Sequence, residues 1–332
     1  MKKVLYVILL LIFLWPSAAR AQKTFRIAMG SCSHQEKAQP LWSVIAQKNP
    51  DVWIWLGDNV YGDTEDMAVL RQKYEKQKSH PDYQALIQKT PVIGTWDDHD
   101  FGVNDGGKEY PKKKESQQLL LDFLGVAADS PLRQREGAYS SQVYGQGKQQ
   151  IKVILLDARY FRDPLVRENR VYLPNENGTV LGEAQWQWLE KELQNSTASL
   201  HIIGSGIQFI PEEHPYEKWA NFPQERKRFF DLLAKTKVKN VLLISGDRHM
   251  SELSAYVPEG LSQKVYELTS SGLTNTWSER REEPNRHRLG EMVVKINFGL
   301  LDIRWKKKKP VVRASIRGEG DQVYLEQELR FK

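Results

Sequence analysis

The strongest constraint on this chain is a pairing that recurs four times: an apolar, strand-like run that stops abruptly at residues able to bind a cation. Val52-Trp53-Ile54-Trp55-Leu56 has no polar alternation and reads as a strand covered on both faces. It runs straight into Gly57-Asp58-Asn59-Val60-Tyr61-Gly62-Asp63. Residues 24–31 end in Cys32-Ser33-His34, residues 91–96 in Asp97-Asp98-His99-Asp100, and residues 240–246 in Asp247-Arg248-His249. Helical patterns separate the four runs, which makes the sheet mainly parallel, and such sheets place their sites at the carboxyl ends of the strands. Each motif alone also reads as a turn or a helix cap. All four together point to one pocket.

The residue types limit what that pocket can do. Asp97, Asp98 and Asp100, with His99 between them, would repel one another if packed together without a cation. Cys32 is the only cysteine, so no internal disulfide can form. It is therefore a buried inert thiol, a metal thiolate, or a nucleophile paired with His34. A Cys32–His34 thiol enzyme leaves three acidic blocks without a purpose, so its place in the first block favours the thiolate.

Cys32-x-His34, Gly57-Asp58-x-x-Tyr61, Asp97-Asp98-His99-Asp100 and Gly246-Asp247-x-His249 resemble the metal-binding blocks of the alkaline phosphatase D family. That family is an outlying branch of the calcineurin-like metallophosphoesterases. The usual superfamily blocks read Asp-x-His, Gly-Asp-x-x-Asp, Gly-Asn-His-Asp/Glu, a lone His, and Gly-His-x-His. The branch has Cys for the first Asp and Tyr for the second Asp of the second block, and this chain shows both, at Cys32 and Tyr61. Leu156 to Arg159, Trp219 to Arg226 and Ser271 to Thr274 extend the agreement, which covers nearly everything after residue 22.

The resemblance implies an α/β fold, a four-layer αββα sandwich of the metallophosphoesterase type in which helices flank two mixed sheets. It implies a metal set of Cys32, Asp58, Tyr61 and His249 that holds ferric iron in preference to zinc. Asp58, Asp98 and Asp247 form an all-oxygen set. The superfamily's lone His has no counterpart in Gly204 to Gln208, so a hard cation is expected, one or two Ca2+ first and Mg2+ second. Asp58 is the expected bridge, with Asp97, Asp100 and Asp63 as outer ligands or supports. His99 is the expected general acid or charge stabiliser, oriented by Asp100. Arg159 either forks onto phosphate oxygens or forms a salt bridge with Asp157 or Asp163.

Composition fits an exported enzyme. Lys2 and Lys3, the apolar Val4 to Trp15, and Ala19-Arg20-Ala21 read as a signal peptide over residues 1–21, which leaves residues 22–332 as one catalytic domain. Without Lys2, Lys3 and Arg20 the net charge falls from +6 to +3, which gives little support for a nucleic-acid partner. Twelve apolar residues are short for a membrane span, so no stable insertion is expected, and the location is periplasmic or secreted. The β-domain that often precedes the catalytic part in this family is expected to be absent. Lys306 to Lys309 read as a solvated hairpin loop, with a membrane or polyanion contact as the sharper alternative.

Periodicity places strands at 24–31, 52–57, 91–96, 151–156, 200–205, 240–246, 264–270, 291–305 and 310–330, and helices at 36–48, 65–78, 113–124, 183–194 and 223–236. Trp219 and Trp277, in polar loops, are candidates for lining a substrate cleft. The expected activity is hydrolysis of phosphate monoesters by a metal-activated hydroxide. The alternatives are a phosphodiesterase, with phospholipid head groups among its substrates, and a non-catalytic binding module of the same fold.

Overall fold

The computed structural model describes residues 24–331 apart from 170, 278 and 280–282. The expected signal peptide lies outside them. In chain order the strands are β1 Phe25–Gly30, β2 Val52–Leu56, β3 Val92–Thr95, β4 Ser140–Tyr144, β5 Ile151–Leu155, β6 Val166–Glu168, β7 Val171–Leu173, β8 Leu200–Ser205, β9 Val241–Ser245, β10 Ser251–Tyr256, β11 Val265–Ser270, β12 Arg288–Val293, β13 Phe298–Lys306, β14 Lys309–Arg317 and β15 Val323–Leu329. The helices are α1 Trp42–Gln47, α2 Met67–Ser79, α3 Pro81–Ile87, α4 Asp98–Phe101, α5 Lys113–Phe123, α6 Gly182–Gln194 and α7 Pro223–Thr236.

Period-two alternation sorts the side chains into layers. On β2, Val52, Ile54 and Leu56 point into the core between two sheets, while Trp53 and Trp55 pack outward against the aromatic rings of α1 and α3. On β9, Leu242 and Ile244 face inward and Val241 and Leu243 join the outer cluster with Phe229 and Leu233 of α7. Burying each such side chain contributes about 1.5–3 kcal/mol. The outcome is the expected αββα sandwich, with α6 and α7 on one side and α1, α2, α3 and α5 on the other.

Both sheets are mixed. The first runs β15-β14-β13-β1-β2-β3, parallel only over β1-β2-β3. The second runs β12-β10-β11-β9-β8-β5-β4, parallel over β11-β9-β8-β5. The four motif-bearing strands do not share one sheet: β1, β2 and β3 lie in the first and β9 in the second. Their loops meet at the seam between the sheets, an arrangement that periodicity does not encode.

The helix expected over 36–48 begins only at Trp42, because Pro40 cannot sit inside a helix. Residues 291–305 form two strands in different sheets, and 310–330 break at a turn over Gly318 to Gln322. Strand β10 escapes periodicity because its sequence, Ser-Glu-Leu-Ser-Ala-Tyr, is half polar yet largely buried. The hairpin at Lys307-Lys308 is where it was expected.

Candidate metal centre

At the ends of three of the four motif-bearing strands, β1, β2 and β9, the backbone turns through conformations that side chains avoid. Cys32 (φ 58°), Asp58 (φ 48°), Asp247 (φ 67°) and His249 (φ 52°) are all left-handed. Strain of this kind costs on the order of 1–3 kcal/mol per residue and collects at functional sites. Gly57 (φ 93°) lets the second and third loops touch, since a Cβ there would lie 2.4 Å from the Cβ of Asp97.

The loops bring together most of the expected side chains. Cys32 Sγ lies 3.3 Å from Asp58 Oδ2, and the Tyr61 hydroxyl lies 3.4 Å from the same oxygen and 2.8 Å from His249 Nε2. Three groups of ligand atoms each fall within 4.8 Å of one another: Cys32, Asp58 and His249; Asp58, Asp98 and His99; Asp97, Asp98 and Asp247. Asp58 and Asp98 each belong to two groups, so the groups form a chain. The oxygen-rich end is Asp97, Asp98 and Asp247, where Asp58, Asp98 and Asp247 were expected.

The pocket's chemistry suits cations. Among the described residues, Asp58 Oδ1 and Asp97 Oδ2 are buried without any hydrogen-bond partner, a costly state for a carboxylate. Burial, followed by the nearby Cys32 and Asp98, raises Asp58 well above the carboxylate range, and burial pushes Asp247 up to about 7. Burial would also raise Asp98, but Arg159, His99 and the Asp105 amide outweigh it and hold the carboxyl at about 2. Burial holds the His249 imidazole down at about 4, leaving it neutral as a metal ligand must be. Burial pushes the Cys32 thiol up to about 11, and it is in hydrogen-bond contact with Ser31, Asp58 and Ser271, not with His34, among the described residues. That is the wrong direction, and the wrong partner, for a thiol nucleophile.

Several expected roles move. His99 Nδ1 pairs with Asp63, at 2.8 and 2.9 Å from its two oxygens, so Asp63 and not Asp100 orients the ring. Asp100 instead accepts hydrogen bonds from the amides of Asp58 (3.1 Å), Asn59 (3.3 Å) and Asp97 (2.8 Å), bracing two loops. Arg159 does not face the cleft. Its guanidinium is wholly buried, with Nη2 2.6 Å from Asp97 and Nη1 2.6 Å from Glu217; neither Asp157 nor Asp163 is its ionic partner. Trp219 is core, packed on Phe209 and Trp186. Trp277 does line the cleft, 5.8 Å from the His249 ring and 5.6 Å from Tyr216.

The cleft over the pocket encloses about 430 Å³ and passes from Asp98, His99 and Asp247 to Arg167, Tyr172 and Tyr216. These last three were not foreseen. Arg167 and Tyr172 sit on the β6–β7 hairpin, whose three-residue strands carry too little pattern to detect. Glu217 was also missed, since nothing local marks it as a partner for Arg159 and Arg162.

Fold and pocket together define the class: an αββα sandwich protein with a candidate metal centre where the strands of its two sheets end. The chain belongs to the PhoD-like phosphatase family, whose model matches residues 27–300, a span that contains the whole pocket. Alkaline phosphatase D of Bacillus subtilis (strain 168) is 24% identical over 278 residues, a match that covers 71% of this chain and 47% of the relative. The chain thus spans about half the length of that curated relative. A solved structure described as that of PhoD superposes with a TM-score of 0.71 at 17% identity, covering 93% of this chain and 72% of that one, a likeness of fold.

Proposed function

We propose that the protein is an exported, metal-dependent phosphoric ester hydrolase. The observation that carries this reading is the chain of overlapping ligand groups joined by Asp58 and Asp98. One end offers thiolate, phenolate and imidazole with a carboxylate, and suits ferric iron. The other offers only carboxylates, and suits Ca2+. Cations held there would supply Lewis acidity, polarising a phosphoryl oxygen and bringing the pKa of a water towards neutrality.

The chain's own groups supply the rest. Burial opposes charge on His99, but Asp58, the Asp63 hydrogen bond and Asp98 outweigh it and push the imidazole up to about 10. With Nδ1 held by Asp63, Nε2 is the nitrogen that gives a proton to the leaving oxygen. The buried Asp97–Arg159 pair fixes the third loop, so the carboxylates keep their spacing as charge develops.

A second reading, hydrolysis of phosphodiesters, is favoured by the cleft itself. Beyond the carboxylates it continues past Tyr216 and Trp277, with room for a second ester substituent. Elemental analysis of the native protein, with monoester and diester hydrolysis measured before and after chelation, tests both readings. Activity indifferent to chelation and to Asp58→Asn sinks the metal mechanism. N-terminal sequencing of protein from its native compartment tests export and cleavage after residue 21.

A further inference from the structure

A second concave site lies at the pole opposite the candidate metal centre. Asn240, which precedes β9, lines it, whereas Asp247 follows β9, so roughly 17 Å of strand separates the two sites. The groove encloses about 920 Å³ and is lined by Lys148, Lys237, Lys239, Lys308 and Lys309, with no Asp or Glu among its lining residues. The lysines come from three separate segments: the turn before β5, the α7–β9 loop and the β13–β14 hairpin.

None of the five has a carboxylate partner among the described residues; nearby Lys152 and Lys235 pair with Glu192 (2.7 Å) and Glu190 (2.6 Å). Five lysines and no acid among its lining residues make the groove locally positive. Lys237 (φ 54°) and Lys308 (φ 67°) occupy left-handed backbone, as does Lys307 (φ 48°) in the same hairpin turn. Lys237 ends α7, where glycine is favoured, and Lys307-Lys308 fill a two-residue hairpin turn that Asn-Gly suits best. Of these, Lys237 and Lys308 line the groove and place lysine where local backbone preference favours glycine or asparagine.

We propose that this groove binds a soluble ligand carrying several clustered phosphate groups, of the oligophosphate class. Ammonium groups suit phosphate oxygens, the volume suits a small ligand, and five charges exceed what a single phosphate would engage. A concave wall favours a ligand that enters it over a flat bilayer face that can only rest on its rim.

Calorimetric titration of the purified protein with tripolyphosphate at low salt tests the proposal. Asp58→Asn is titrated in parallel, so that anion captured at the metal centre is separated from anion in the groove. Saturable binding is expected, weakening as salt rises and surviving Asp58→Asn. The double variant Lys237→Asn/Lys308→Asn should lose about tenfold or more in affinity. Phosphoester hydrolysis should be unchanged, and the thermal midpoint kept or raised because asparagine suits left-handed backbone. Lys309→Arg, which keeps the charge, should bind as the parent does. Absence of saturable binding, binding lost in Asp58→Asn alone, or equal affinity in the double variant would each overturn the groove assignment. So would association with phosphatidylglycerol vesicles without any affinity for tripolyphosphate.

Discussion

Asp58 is the residue on which both halves of the centre depend, because its carboxylate lies within reach of the thiol–imidazole group and of Asp98. Asp58→Asn should therefore empty both halves and lower hydrolysis by at least about a hundredfold. If the thiolate–phenolate end holds ferric iron as proposed, Asp247→Asn should remove only the cation at the carboxylate end and leave the visible absorption that thiolate and phenolate ligands give ferric iron. Metal per protein, measured beside the visible spectrum, separates the two variants; if Asp247→Asn loses iron first, the assignment of ends is reversed. On the proposed role of His99, Asp63 acts through the imidazole it holds rather than on substrate. Asp63→Asn should lower kcat about 10- to 100-fold with metal content unchanged, and most for substrates with poor leaving groups. A metal loss equal to the loss of activity would make Asp63 a structural residue only.

Among the elements, the loops after β3, β5 and β8 are tied together by one buried ionic network. Asp97, Arg159, Glu217 and Arg162 are linked by contacts of 2.6–3.0 Å, and all four are at most 2% exposed. Two cations balance two carboxylates, so removing one member leaves an uncompensated buried charge. Arg159→Met should thus destabilise the fold by about 3–5 kcal/mol, read as a lower urea midpoint. Had Arg159 been a phosphate fork, the same variant would have raised KM at nearly unchanged stability. The element-level expectations succeeded where an apolar run is continuous, as on β2 and β9. They failed where an element is short or polar, as on β6, β7 and β10, because such strands are held by sheet neighbours rather than by their own pattern.

For the molecule as a whole, the pocket ties stability to pH and to metal. Folded Asp247 holds its proton up to about 7 because of burial. Asp100 does so to about 7, because burial outweighs the amides it accepts from. The unfolded chain releases both protons at ordinary carboxylate pH, so rising pH costs stability up to about 7. His99, pushed up to about 10, continues the loss above its ordinary range. His249, held down near 4, acts oppositely between about 4 and its ordinary value, but is outweighed by the two acids. The chelated protein should therefore unfold at lower urea at pH 9 than at pH 5, and restored cations should narrow the gap. Activity lost to a calcium chelator should return on adding calcium; no response would remove calcium from the centre. Among the described residues no helix is long and apolar enough to cross a membrane.

Sequence by itself determined the buried strands and the residues that gather in the pocket. Continuous apolar runs are a local property, and four of them, each followed by a block that holds Cys32, Asp58, Asp98 or Asp247, are visible without coordinates. Tertiary structure alone decided which strands share a sheet, and so that the site lies at the seam. It also decided that Asp63 rather than Asp100 holds His99, and that Arg159 faces inward. These outcomes depend on groups far apart in the chain, such as Asp97 and Arg159, 62 residues apart. Burial and charge balance at the meeting point select such partners, and no local pattern records them.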